Sequence, residues 1–477
     1  MIWHLRMLSI LAVLVVAGCS RIDPPGANQP LIIGLPTDPV FQQVSPNHEG
    51  MDGFSRDLAK LFAESLQVEV RFEVAADYPT LLEMVRQKKV HFAAALPALK
   101  GETHLRYTPP VQESRQLVVQ HASAMPLDTP EKLAGQEIAV MPGGPQTAAL
   151  RTLGLTPAPD VQATDAADEL EMLANVARRR HALAATDELH YTIAANFNPD
   201  LTIATYLPET LAYVWAFHVD HPELYARATD FIETIRTDGT LRRLNDRYFG
   251  HIRRLDARDI QTFLEHSRGR LPDFRSLFHE AQEITGIDWR LIAALAYQES
   301  KWNPLATSPT NVRGMMMLTE DTADRLKVTN RLDARQSILA GAKYLAFLMD
   351  ELPDEVKQPD RLWFALAAYN LGMGHLNGAR HFAPELKRDA NLWVDMKQVM
   401  PLMARPEYYS RLKSGRARGG EAVIMVENIR NYYDVLTRFE RVYTPPSLGH
   451  DKPVRKPSRQ TKKKSRSGSP KLNARGK

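Results

Sequence analysis

Apolar positions fall into three kinds of pattern along the chain. From Leu31 onward, short apolar runs alternate with helical stripes. Leu31-Ile32-Ile33-Gly34-Leu35 reads as a buried strand, and Leu58, Leu61, Phe62 and Leu66 share one face of a helix over 54–66. Residues 68–72 alternate as a strand, 78–87 read as a helix, and 90–96 form another buried strand that Pro97 ends. The pattern resumes at 137–141 and runs on to Phe249, which predicts a mostly parallel sheet with helices on its faces. After Arg268-Gly269-Arg270-Leu271-Pro272 only helical stripes remain.

The first of these stripes is Phe274, Leu277, Phe278, Ala281 and Ile284, with Gly286 as its stop and Asp288 as the N-cap of the next helix. In that next helix Ile292, Leu295, Ala296 and Glu299 occupy i, i+3, i+4 and i+7. Glu299 thus lies on the buried stripe, in the last turn before Trp302-Asn303-Pro304. A carboxyl there is desolvated, so its pKa rises toward the range a general acid needs. Leu362, Ala365, Leu366 and Tyr369 repeat the same spacing, which points Tyr369 inward with Asn370 next to it. Ile338, Gly341, Ala342, Leu345, Leu348, Met349 and Leu352 form a nearly unbroken stripe and read as the central core helix. Between these helices, Arg313-Gly314 permits close backbone approach ahead of Met315-Met316-Met317, a run typical of core filler. No second acid sits on an apolar stripe nearby, so the two-carboxylate arrangement of ordinary glycosidases is missing.

Composition narrows the class. The 477 residues are too many for one ordinary core, and 44% hydrophobic with 24% charged residues excludes wholesale disorder. No apolar run of ~18 residues occurs, which excludes a polytopic membrane protein. One cysteine, Cys19, excludes an internal disulfide framework and a Cys-rich metal site. The start of the chain has the layout of an export signal: His4 and Arg6, an apolar stretch over 8–17, then small residues before Cys19. The net charge of +4 hides an asymmetry. Residues 451–477 hold eleven Lys/Arg against one acid, leaving −6 on the other 450 residues. That basic tail, over 446–477, has no apolar periodicity and reads as solvated. An exported chain does not meet a genome, so the tail's available polyanions are membrane surfaces and the cell wall, not nucleic acid.

Three resemblances give these patterns a context. Val16-Ala17-Gly18-Cys19 resembles the bacterial lipobox, which implies removal of residues 1–18 and acylation of Cys19, with 19–30 as a Pro/Gly-rich spacer. Ser20 after it implies sorting to the outer membrane, facing the periplasm. Gly53-Phe54-Ser55-Arg56-Asp57-Leu58-Ala59, residues 87–92, Leu133-Ala134-Gly135-Gln136 and Asp238-Gly239-Thr240-Leu241 resemble family 3 periplasmic solute-binding proteins. For residues 31–267 this implies two α/β lobes that close on a ligand, an amino-acid-like molecule or a wall-derived peptide, in a regulatory role. Asp187 matches the family's amine-binding acid, and Gly143, Gly144 and Thr147 match its anion-binding turn. Gly101 stands where the family's carboxylate-binding Arg is expected, with Lys100 beside it.

Gln298-Glu299-Ser300, Gly314-Met315-Met316-Met317, Ala367-Ala368-Tyr369-Asn370-Leu371-Gly372 and Glu427-Asn428-Ile429-Arg430-Asn431-Tyr432 resemble the successive motifs of family 1 lytic transglycosylases. For residues 268–445 this implies a mainly α, lysozyme-like fold that cleaves peptidoglycan glycan strands and leaves a 1,6-anhydro end, without metal or cofactor. Glu299 would be acid and then base, Ser300 would orient it, and Tyr369 and Asn370 would position it or the substrate. Gly314, Met315, Met317 and Tyr432 would support substrate binding. Met317 replaces the family's common Gln, and Met425 aligns where a site Tyr is frequent. Two other functions remain open at this point: a goose-lysozyme-like hydrolase using the same Glu, and a non-catalytic wall-binding lipoprotein.

Overall fold

The computed structural model describes residues 22–26, 28–42, 53–99, 101–253 and 255–445. The lipobox with Cys19, Lys100 and the basic tail lie outside them. Nine strands come first: β1 (Leu31–Pro36), β2 (Val70–Ala75), β3 (Phe92–Pro97), β4 (Leu105–Tyr107), β5 (Gln112–His121), β6 (Glu137–Val140), β7 (Asp160–Ala163), β8 (Leu183–Asp187) and β9 (Leu201–His218). Among and after them run α1 (Phe54–Leu66), α2 (Tyr78–Arg86), α3 (Gln146–Thr152), α4 (Glu169–Ala177), α5 (Glu188–Ala195), α6 (Pro222–Thr237) and α7 (Thr240–Phe249).

The strands form one sheet in the order β2-β1-β3-β9-β5-β8-β6-β7, with β4 added on β9. Parallel pairing is confined to the two ends, β2-β1-β3 and β8-β6-β7. The middle is antiparallel, because β9 pairs with β3, β4 and β5, and β5 pairs with β8. The expected mostly parallel sheet is therefore two parallel lobes joined by the long strands β5 and β9. Apolar runs specify burial, not strand direction, so the antiparallel crossing was invisible in them. Separate apolar clusters fill the outer faces of the lobes, around Ile138 and Leu150 in one and Leu81 and Leu96 in the other.

The second half is helical: α8 (Ala257–Gly269), α9 (Leu271–Thr285), α10 (Trp289–Ser300), α11 (Glu320–Arg325), α12 (Ala334–Asp350), α13 (Asp360–Leu371), α14 (Met373–Phe382), α15 (Trp393–Val399), α16 (Pro406–Tyr409) and α17 (Gly419–Phe439). One apolar core joins them, with α10 and α13 buried almost all round. Gly286 ends α9 in the left-handed conformation, and the Asp288 carboxylate caps α10 at Arg290 N–H. Two expectations shift. Ile284, placed on the buried face of α9, is exposed, since it falls at the edge of the stripe where α9 runs out. Ile260, Phe263 and Leu264 of α8 pack into the helical core, so that core begins ahead of residue 268. Among the described residues no helix is long and apolar enough to cross a membrane.

The two halves meet on α7 and α17. Buried Arg430 donates to the carbonyls of Asp246 and Arg247 at 2.9 and 2.7 Å, and Arg242 pairs with Asp395 at 2.7 Å. Asn431 reaches the Ile252 carbonyl at 3.3 Å, which Asn196 also holds at 3.0 Å.

Candidate active site

Glu299 sits at the end of α10, where two successive left-handed residues, Lys301 and Trp302, turn the chain away. The turn is locked by the Trp302 indole, which donates to the Ala293 carbonyl at 2.8 Å. All nine α10 residues before Gln298 are buried, most of them apolar, and the last turn projects Glu299 from them. Glu299 itself is half-buried. Burial pushes its carboxyl up to about 8, and no charged neighbour among the described residues contributes. It is therefore protonated at neutral pH while still open to a substrate.

A second wall comes from residues 313–318. Arg313 and Leu318 bridge to each other at 3.1 and 2.9 Å and close a tight loop. Gly314 must be glycine: its φ is +86°, and a Cβ there would stand 1.8 Å from the Arg331 carbonyl oxygen. Three side chains pin this loop. Ser300 Oγ donates to the Met315 carbonyl at 2.8 Å, the Tyr369 hydroxyl donates to the Met316 carbonyl at 2.8 Å, and Met316 N–H donates to Ser337 Oγ at 3.1 Å. The Tyr369 hydroxyl is pushed up by burial and then by the Glu299 charge.

The cleft of the α/β half is built differently. Asp187 ends β8, caps α5, and is wholly buried. Its carboxylate accepts from Ser114 Oγ at 2.6 Å, Leu189 N–H at 2.9 Å, Tyr213 at 2.8 Å and His190 Nδ1 at 2.6 Å. Burial pushes it up, but the His190 charge and these donors outweigh burial and hold it at about 2. Nε2 of His190 faces Glu169 at 2.9 Å and Asp38 at 3.2 Å. The Gly143–Thr147 turn meets Pro79 of the opposite lobe, whose Cγ lies 2.4 Å from where a Gly143 Cβ would be.

Comparison with known proteins fits both halves. Residues 31–251 match the bacterial extracellular solute-binding proteins, family 3, and residues 276–391 match the transglycosylase SLT domain. A membrane-bound lytic murein transglycosylase F from Methylobacillus flagellatus is 42% identical, covering 93% of this chain and 96% of its own. One from Thiobacillus denitrificans is 40% identical, over 92% and 94%. The chain belongs to the membrane-bound lytic murein transglycosylase F family. Among solved structures, an ancestral arginine-binding protein bound to arginine is 20% identical, covers 46% of this chain and 97% of its own, with a TM-score of 0.41.

The SLT match spans Glu299, the Gly314–Met317 loop and Tyr369-Asn370, whereas α17 lies beyond it. Several expected roles change against the coordinates. Ser300, expected to orient Glu299, donates to the Met315 carbonyl at 2.8 Å and to the Ala296 carbonyl of its own helix at 3.1 Å. Met315 is core, fully buried, while Met317 is half-buried in the left-handed conformation. Tyr432 does not face solvent. It is buried between Phe263 and Tyr297, with Lys301 Nζ at 3.3 Å from its hydroxyl, since α17 turns that face to α8 and α10. Met425 is buried, and Asn370 is exposed at the end of α13. Asp187 receives the chain's own His190 where a ligand amine was expected, and Pro79 abuts Gly143 in the expected anion turn. Ser337, which accepts from Met316 N–H, and Arg331, which donates to the Leu318 carbonyl, carry no signal in the sequence. They hold the loop through backbone atoms, and such contacts leave no spacing signal.

Proposed function

We propose that the chain is a peptidoglycan lytic transglycosylase in which Glu299 alone serves as acid and then base. The observation that carries this is a carboxyl half-open to solvent that burial keeps protonated at neutral pH, with no charged group among the described residues shifting it. Membership of the lytic murein transglycosylase F family supports the same reading.

The reaction needs one such group. Glu299 gives its proton to the glycosidic oxygen between N-acetylmuramic acid and N-acetylglucosamine, and the C1–O bond breaks. The muramic N-acetyl oxygen stabilises the cationic C1, as in substrate-assisted glycosidases. Glu299, now a carboxylate in an apolar setting, takes the proton from the muramic C6 hydroxyl. O6 then bonds to C1, closing the 1,6-anhydro ring and restoring the acid. Tyr369 and Ser300 serve this step through the backbone of Met315 and Met316, holding the loop opposite Glu299 in place. Gly314, Met317 and Asn370 are the remaining candidates for lining the glycan path.

The test is Glu299→Gln, followed by mass spectrometry of products released from wall sacculi. The wild-type chain should release anhydromuropeptides, one water lighter than reducing muropeptides, and the variant should release essentially none. Reducing ends from the wild type would make the enzyme a hydrolase instead. For anchoring, the lipobox supports acylation at Cys19 and residence on the periplasmic face of the outer membrane, in line with the membrane-bound relatives. The solute-binding half supports a ligand-sensing role in which a wall-derived peptide alters the rate. A rate unchanged by added wall peptides would remove that role.

A further inference from the structure

The cleft between the lobes of the α/β half holds three buried carboxylates around one imidazole. Asp38 follows β1 in one lobe, while Glu169, Asp187 and His190 belong to the other. His190 Nδ1 is 2.6 Å from Asp187, and Nε2 is 2.9 Å from Glu169 and 3.2 and 3.3 Å from the two Asp38 oxygens. A neutral imidazole donates from only one nitrogen, yet carboxylates stand at both, so the ring bridges them as an imidazolium. Its three acidic neighbours drive it well above the ordinary histidine value, against the opposing effect of burial. The site is wider than the ring fills. Glu169 Oε2 is buried beside Nε2 without the alignment of a hydrogen bond.

The same cluster joins the lobes. Asp38 meets His190 across the cleft and also accepts from the Tyr78 hydroxyl at 3.2 Å. Pro79 presses on Gly143 beside it. The cavity left at Asp38 and Glu169 is about 40 Å³, room for roughly one water molecule.

We infer that this cleft is an organic-cation site whose occupant is the chain's own His190, which latches the two lobes shut without an external ligand. A compact cation, an imidazolium or a primary ammonium, enters only where His190 leaves. The inference stands apart from the catalytic assignment, because none of these residues belongs to the helical half.

Chemical rescue in the full chain tests it. His190→Ala should lower the melting temperature of the α/β half by about 5–10 °C, since it leaves three buried carboxylates without their cation. Added imidazole should restore at least half of that loss in a saturable manner, without effect on the wild type. Asp187→Asn in the His190→Ala background should abolish the rescue. A folded His190→Ala variant that is as stable as wild type, or that ignores imidazole, overturns the latch. Should the variant not fold, ring-nitrogen NMR on the wild type decides near pH 7: two protonated nitrogens on His190 uphold it, and one overturns it.

Discussion

The helical half buries two glutamates on helices that pack together, α10 and α17, and leaves them in opposite states. Around Glu299 no charged group among the described residues acts, so burial alone raises the carboxyl to about 8. Around Glu427 burial acts in the same direction but loses. Arg430 at 3.0 Å, Lys397 at 3.1 Å and the Trp393 indole at 2.8 Å hold it at about 2. Desolvation therefore sets the stage for a reactive acid, and the number of partners decides whether one results. The α/β cleft is a third solution, with one internal cation shared among several acids. Of the two helical glutamates, Glu299 is the one with a proton to give at neutral pH.

Mutation and pH can break or sharpen this contrast. Glu299→Gln should cut anhydromuropeptide release by about 10²–10⁴-fold or more, the range for losing a general acid or base, with the fold intact. Wild-type activity should decline as pH rises through about 8, where Glu299 loses its proton. An alkaline limb far from that pH would break the assignment.

Glu427→Ala should do the reverse. It should destabilise the chain by about 3–5 kcal/mol in thermal unfolding, because buried Arg430 loses the carboxylate that it pairs with at 3.0 Å. Activity per folded molecule should survive. Selective loss of activity at full stability would show that Glu427 is chemical after all.

Gly314→Ala should follow at about 2–4 kcal/mol, from a backbone clash and an unfavourable φ. Tyr369→Phe should lower stability by about 1 kcal/mol, the worth of one hydrogen bond to the Met316 carbonyl, and reduce the turnover rate more than it changes KM.

The two glutamates also separate by the sign of their pH dependence. Glu427 has a depressed folded pKa, so its contribution is present above the unfolded value and is lost as pH falls toward about 2. Glu299 has a raised one, so ionisation opposes folding as pH climbs from the unfolded value through about 8. Glu299→Gln should accordingly gain about 2 kcal/mol near pH 9 and little near pH 4, less than the full shift implies because the carboxyl reaches solvent.

What could be read from the sequence follows from one-dimensional periodicity. Glu299 and Tyr369 each close an i, i+3, i+4, i+7 stripe, and helices force such residues onto one face regardless of the rest of the fold. The change from alternating to purely helical patterning was equally visible. Tyr432 was a candidate from a resemblance motif and not from a stripe, and α17 buries it in an aromatic cluster. Ser300 adjoins Glu299 in sequence and still acts on another segment.

The chain's order of residues by itself determined its element types, the fusion of an α/β half to a helical half, and the single acid on a buried stripe. These depend on local geometry and on where apolar side chains must hide. Only the tertiary structure decided which buried carboxyls keep a proton. Arg430 comes to Glu427 from one turn away, but Lys397 and Trp393 come from a different helix, and among the described residues no charge shifts Glu299. Likewise Asp38 reaches His190 across 152 positions of sequence. A pKa is set by distances of a few ångströms between groups the chain brings together only on folding, and spacing along the sequence carries no record of them.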